Sequence, residues 1–292
     1  MKKTSDRSDE ALFWLAEAYY QADMLQNSAE TYKKLLTDYP KTGRREQSLY
    51  GLGWSYFRNK DFSTSTKYFD QMITEFPKSK YAIEVLTRQG DGYYLQKNYG
   101  KAAEFYRRAA KLAPGTEEGQ YSAYQLCHAL YRKGDNESAI TSLLEFVSYY
   151  PKSPYAANAL YLIGWIRFQQ TRYREAIDNF NFLIQAYPSS GMVARAHYAI
   201  GDSYYNMQEF ELAITSYRTV IEKYPTSSLA PEALKSVQQS LMILGREEEA
   251  MAIIDNYVEG NEDSPFVEDL TLAQHLLPQF YNLDYYSIGL LQ

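Results

Sequence analysis

Chemistry in this chain would have to begin at Cys127-His128, where its one thiol stands beside an imidazole. A thiolate and a neutral imidazole are both metal ligands, and together they can serve as nucleophile and base. Either use needs a third group. The other histidines, His197 and His275, are distant in sequence, and no acidic residue stands at a ligand-like helical spacing. Gly90-Asp91-Gly92 resembles part of a phosphate loop, but it lacks the third glycine and follows no strand. The segments Arg172–Ala176 and Tyr106–Arg108 read as solvated helix faces rather than phosphate sites. No catalytic residue, metal or cofactor is expected, and the chain reads as a non-enzyme.

Composition narrows the partners. A formal charge of −6 over 292 residues argues against nucleic acid, whose phosphates demand a basic face. Nine Asp or Glu against one Arg between Arg246 and Asp269 make the C-terminal end acidic and leave the body balanced. A single cysteine excludes an internal disulfide. The most apolar run, ALYLIGWIRF at 159–168, contains Arg167 and falls well short of the ~20 residues of a membrane span. No signal-like apolar core follows Met1-Lys2-Lys3. Length alone would suggest about two ordinary domains. Thirty tyrosines are too many to decorate a water-facing surface.

The elements that carry these residues repeat. Pro40, Pro77, Pro114, Pro151, Pro188 and Pro225 are 37 residues apart. Thirteen residues after them come Gly53, Gly90, Cys127, Gly164 and Gly201; twenty-five after come Ser65, Ala102, Ala139, Ala176, Ala213 and Ala250. Four further on stand Phe69, Tyr106, Leu143, Phe180, Tyr217 and Ile254, and a first unit is completed by Ala16, Ser28 and Tyr32. Apolar residues at three- and four-residue spacing make each unit two helices, A and B, with the proline closing the second. The small columns mark close helix contacts. Gly134 suits the left-handed position just past a helix end. A hydroxyl two residues beyond each proline (Thr42, Ser79, Thr116, Ser153, Ser190, Ser227) is expected to cap the next helix A. Thirteen breaks, from 22–27 to 244–247, should separate fourteen repeat helices.

LxxLGxxY at Leu49–Tyr56, followed by Phe69 and Pro77, resembles the tetratricopeptide repeat, which has a glycine, a tyrosine three later, an alanine, an aromatic and a closing proline. The resemblance covers roughly Ser8 to Gly260. The period of 37 rather than the usual 34 is similar to that of bacterial cell-envelope members, such as the outer-membrane assembly lipoprotein and the periplasmic partner of the Tol–Pal system. Departures are Cys127 for glycine, Leu130 and Arg167 for tyrosine, Gln238 for glycine and Glu262 for proline. The resemblance implies an all-α, right-handed α-solenoid: residues 1–260 hold seven helix-turn-helix units, and residues 261–292 an acidic capping helix and tail. Pro265–Leu277 would be that helix, with Ser264 as its cap. The family's chaperone-tail binders clamp a carboxylate with Lys and Asn, and the corresponding positions here are aromatic or acidic.

Such arrays line their concave side with helix A. Three positions per unit share a stripe beside the core: Phe13, Glu17, Tyr20; Tyr50, Trp54, Phe57; Thr87, Asp91, Tyr94; Tyr124, His128, Tyr131; Tyr161, Trp165, Phe168; and Tyr198, Asp202, Tyr205. The last of each triplet is aromatic in all six units. Widening of the core would explain such residues, and so would recognition, because Tyr and Trp supply large contact area at low entropic cost. The stripe is expected to form one groove for a protein or peptide segment. Its aromatics would grip apolar side chains, while Asp202, His128 and the tyrosine hydroxyls hold backbone or a basic group. The reading that follows is a protein–protein interaction scaffold, set by the resemblance in bacterial envelope biogenesis. Two others stay open: a cytoplasmic scaffold within a larger regulatory or secretion protein, and the recognition arm of an enzyme whose catalytic domain lies elsewhere. The first unit begins almost at Met1 without a capping helix, as in a fragment. A periplasmic or envelope location would need an upstream signal; otherwise the chain is cytoplasmic. Oligomeric state is not legible.

Overall fold

The computed structural model describes residues 5–260. They form fourteen α-helices and, among the described residues, no strand. The A helices are α1 (Ser5–Gln21), α3 (Arg45–Arg58), α5 (Ala82–Leu95), α7 (Glu117–Lys133), α9 (Ala156–Gln169), α11 (Met192–Asn206) and α13 (Ala230–Ile243). The B helices are α2 (Leu25–Asp38), α4 (Phe62–Glu75), α6 (Tyr99–Leu112), α8 (Asn136–Tyr149), α10 (Tyr173–Ala186), α12 (Phe210–Lys223) and α14 (Glu247–Gly260). Every expected break contains a helix junction, although the one expected at 22–27 runs three residues into α2. The helix expected at Pro265–Leu277, with its cap Ser264, lies outside the described residues. The chain divides into two compact units, Met1–Ala156 and Ala157–Gln292. Within the first, each helix from α1 to α8 packs on the next; within the second, α10 to α14 do the same.

The glycine column exists because a ring fills the space. A Cβ on Gly164 would lie 2.5 Å from Cε1 of Phe180, and Gly53, Gly90 and Gly201 face Phe69, Tyr106 and Tyr217 as closely. Those rings are fully buried, and each removes a large apolar area from water. Where Cys127 replaces the glycine, the facing residue is the smaller Leu143, so volume is conserved within the pair. The small column on helix B brings the backbones together: Ser65 donates to the Gly53 carbonyl at 2.8 Å, and Gln238 to that of Ala250 at 3.1 Å.

The turn inside each repeat is built more uniformly than its residues suggest. Asp23, Lys60, Lys97, Gly134, Thr171, Gln208 and Gly245, all 37 apart, share a left-handed backbone with φ between 59° and 87°. In the second repeat Lys60 donates to the Phe57 carbonyl and Asp61 to that of Tyr56, both at 3.0 Å, a Schellman closure. Asp61 then accepts from the Thr64 amide and opens α4. Only Gly134 and Gly245 of the seven are glycine, so residue type alone does not display the column.

The hydroxyl column is corrected. Thr116 alone caps a helix, accepting from the Gly119 amide at 3.1 Å. Thr42, Ser79, Ser153, Ser190 and Ser227 instead accept from the amide two residues on, closing a turn that precedes helix A. The difference is Gly115, whose φ of +90° lets the chain enter α7 directly; α7 accordingly has 17 residues where most helices have 14. Cys127 is a core residue of α7, 1% exposed, its thiol pushed up to about 12 by burial. Of Tyr106–Arg108, the two arginines are exposed as expected, while Tyr106 is core.

Candidate functional site

The stripe of helix A lies at the margin of the core. All fourteen residues from Tyr50 to Tyr205 singled out for the groove are partly buried, neither enclosed nor fully open. Phe13 and Thr87 are the exceptions, each buried in its repeat. The first stripe position leans on the core rings: Tyr161 lies 5.3 Å from Phe180 and Tyr198 5.3 Å from Tyr217, centroid to centroid.

The middle position follows the ring beneath it. Where helix B supplies tyrosine, an acid accepts its hydroxyl: Tyr106 donates to Asp91 and Tyr217 to Asp202, both at 2.7 Å, and Tyr32 donates to Glu17. Where helix B supplies phenylalanine, the middle residue is tryptophan, Trp54 with Phe69 and Trp165 with Phe180. Where it supplies Leu143, the middle residue is His128. The reason is hydrogen-bond satisfaction: a buried phenol needs an acceptor, and a phenylalanine ring accepts an apolar cover.

Asp91 and Asp202 thus each hold an internal hydrogen bond that the sequence alone did not show. Asp91 also takes Arg88 at 2.5 Å, and that guanidinium lies 5.5 Å from the Trp54 ring. Asp202 has no ion pair among the described residues. Burial raises its carboxyl above the ordinary value, and the Tyr217 hydrogen bond opposes that rise. His128 stands edge-on to Tyr124, with centroids 4.6 Å apart. Its Nε2 is buried with no hydrogen-bond partner, and burial followed by the charge of Arg132 holds the imidazole below its usual range. Tyr124 is pushed up to about 12 by burial. The hydroxyls of Tyr50 and Tyr198 are met by Glu84 at 2.8 Å and Ser236 at 3.3 Å.

The last position forms the most regular feature. Phe57, Tyr94, Phe168 and Tyr205 each meet the first residue of the following helix edge-to-face: Phe62, Tyr99, Tyr173 and Phe210, at 5.2 to 5.3 Å. Sequence reasoning missed this second column, although the 37-residue register displays it. Tyr81 and Tyr155 were missed as well; they stack on Tyr50 and Tyr124 at 4.4 and 5.0 Å. In the first compact unit the stripes approach one another, since Tyr121 of α7 reaches Asp91 of α5 at 3.4 Å. In the second, Tyr161 of α9 feels the charges of Arg195 and Asp202 on α11. Among the described residues no cluster of His, Cys, Asp or Glu could hold a metal, and no helix is long and apolar enough to cross a membrane.

The outer membrane lipoprotein family, YfiO, matches residues 84–256, and the tetratricopeptide repeat matches residues 10–42 and 47–79. Among solved structures, the C-terminal part of a TPR repeat-containing protein from Cytophaga hutchinsonii is similar with a TM-score of 0.63 and 14% identity, over 88% of this chain and 98% of its own. A tetratricopeptide repeat protein from Parabacteroides merdae is similar at 0.55 and 16%, over 92% and 99%. The MamA protein is similar at 0.49 and 23%, over 63% and 94%. At these identities the likeness concerns the fold. No curated protein matches.

Proposed function

The chain belongs to the YfiO outer membrane lipoprotein family, and from that membership we propose that it is an interaction scaffold of the bacterial envelope that does no chemistry itself. In this reading it binds a protein or peptide segment along the helix A stripe. The observation that carries it is the aromatic last position of six successive A helices, Tyr20, Phe57, Tyr94, Tyr131, Phe168 and Tyr205, each partly exposed. Four of these rings, Phe57, Tyr94, Phe168 and Tyr205, are anchored edge-to-face, which lets them hold apolar ligand side chains at low entropic cost. Specificity in this reading comes from the spacing of the rings. A photo-reactive phenylalanine analogue tests this in cells. At Phe168 it should crosslink a discrete envelope protein, and at Tyr149, 76% exposed on a B helix, it should not. Equal yields at the two positions would remove the stripe as the binding surface.

A further inference from the structure

In repeats two and three, helix A lays a tyrosine flat on a ring of its own helix B. Tyr56 stacks on Tyr68 with centroids 5.7 Å apart, and Tyr93 on Phe105 at 5.3 Å. Cations cover both stacks: Lys33 of α2 lies 5.0 Å from the Tyr56 ring, Lys101 5.0 Å from Tyr93 and Arg108 5.1 Å from Phe105. The face of an aromatic ring is negative, so a cation above it is held electrostatically.

Repeat four, in the same compact unit, keeps this frame and lacks the rings. In the 37-residue register Leu130 of α7 and Ser142 of α8 stand where Tyr56 and Tyr68 do, and Arg107 of α6 stands where Lys33 does. A cleft of about 530 Å³ opens at that place, lined by Gly100, Ala103, Leu130, Ser142 and Arg107. Ala103 and Leu130 are buried and make its floor, and Arg107 is exposed at its rim. Arg107 lies over no ring and, among the described residues, holds no ion pair. Of the five charged residues at the cleft, Arg107 and Lys133 are basic and Asp135, Glu137 and Glu145 acidic, so net charge does not choose the ligand. What distinguishes the site is a missing ring beneath a cation.

We propose that this cleft is a second binding site and that it takes one aromatic side chain projecting from a partner protein. The incoming ring lies on Leu130 beside Ser142, with the Arg107 guanidinium over its outer face, as Lys33 lies over Tyr56. An aromatic side chain is the fitting occupant because it restores the packing of the two preceding repeats and meets the exposed cation with the negative face of a ring. No residue of the helix A stripe lines the cleft, so this site stands apart from the groove.

Random peptides displayed on phage test it with the 292-residue chain. The library is selected on the parent and depleted on Leu130→Tyr/Ser142→Phe, which returns a stacked pair to the cleft. Peptides that bind the helix A stripe hold to both proteins and are removed, so the outcome does not depend on the groove. Those that remain should share one aromatic residue. A synthetic copy of the strongest should lose about tenfold or more in Kd when that residue becomes alanine, as for an interface hot spot. Arg107→Gln should weaken the same peptide about threefold, the size of one exposed cation–π contact. Arg107 is exposed, so this variant should keep its helical circular dichroism. It serves for the depletion should the double variant lose helical signal. Finding no peptide that separates parent from variant overturns the proposal, as do parent-specific peptides without an aromatic residue. An affinity unchanged by Arg107→Gln overturns it too.

Discussion

Repeats five and six occupy the same compact unit and share one backbone pattern, yet their stripes differ in kind. In repeat five Trp165 and Phe168 stack 5.4 Å apart, and the ring beneath is Phe180. In repeat six an acid replaces the tryptophan, and it accepts the hydroxyl of Tyr217. One atom, the phenol oxygen, separates the two cores. It decides whether the neighbouring surface position is apolar or charged. A residue on the candidate binding face is thus chosen partly from below, and an acid on that face is not by itself a sign of a basic ligand.

Exchanging the pairs should break this comparison most visibly. Tyr217→Phe strands the Asp202 carboxylate and should cost about 1–3 kcal/mol in urea unfolding. Phe180→Tyr, which places a hydroxyl under Trp165, should cost a similar amount. Adding Trp165→Asp to the latter should recover much of the loss, as a coupling of about 0.5–3 kcal/mol in a double-mutant cycle. Strict additivity would show that the pairing is coincidental.

A smaller effect separates the two turns. Thr171 before α10 and Gln208 before α12 hold the same left-handed conformation, with φ of 59° and 62°. A β-branched residue tolerates it less. Left-handed backbone costs a non-glycine residue about 1–2 kcal/mol, offset in part by the ~0.5–1 kcal/mol of chain entropy that glycine loses on folding. Thr171→Gly should therefore stabilise by up to about 1 kcal/mol, and Gln208→Gly by less. A lower melting temperature for Thr171→Gly would contradict the assignment.

The smallest effect is a pH dependence confined to repeat six. The folded Asp202 carboxyl titrates above its ordinary value of 3.8, so between the two values the folded chain holds the proton more tightly than the unfolded one. Its contribution to stability is greatest at low pH and is lost as pH rises through the folded value. Asp202→Asn keeps an acceptor for Tyr217 and removes the titration. The stability of the parent relative to this variant should be higher at pH 4 than at pH 7; a constant difference would contradict the shift.

Most of the fold was legible because proline and small-residue columns recur with physical force: a proline ends a helix, and a glycine admits a ring. The stripe was legible from helical spacing alone. What sequence could not show was where the polar atoms go. Asp91 and Asp202 look like ligand contacts in a list of surface positions, and only the position of Tyr106 and Tyr217 beneath them reveals their engagement. The hydroxyl column misled for a local reason, since one glycine, Gly115, decides whether such a residue caps a helix or a preceding turn.

Trp165→Ala, compared with Phe180→Ala one layer below, tests most directly whether the stripe belongs to recognition rather than to the core. Phe180→Ala should cost about 3–5 kcal/mol of unfolding free energy, as for a buried ring. Trp165→Ala should cost less than about 2 kcal/mol while lowering the Phe168 crosslink at least about tenfold, the signature of an interface hot spot. A loss of stability equal to that of Phe180→Ala, or a crosslink that survives the substitution, would return Trp165 to the core and contradict the account.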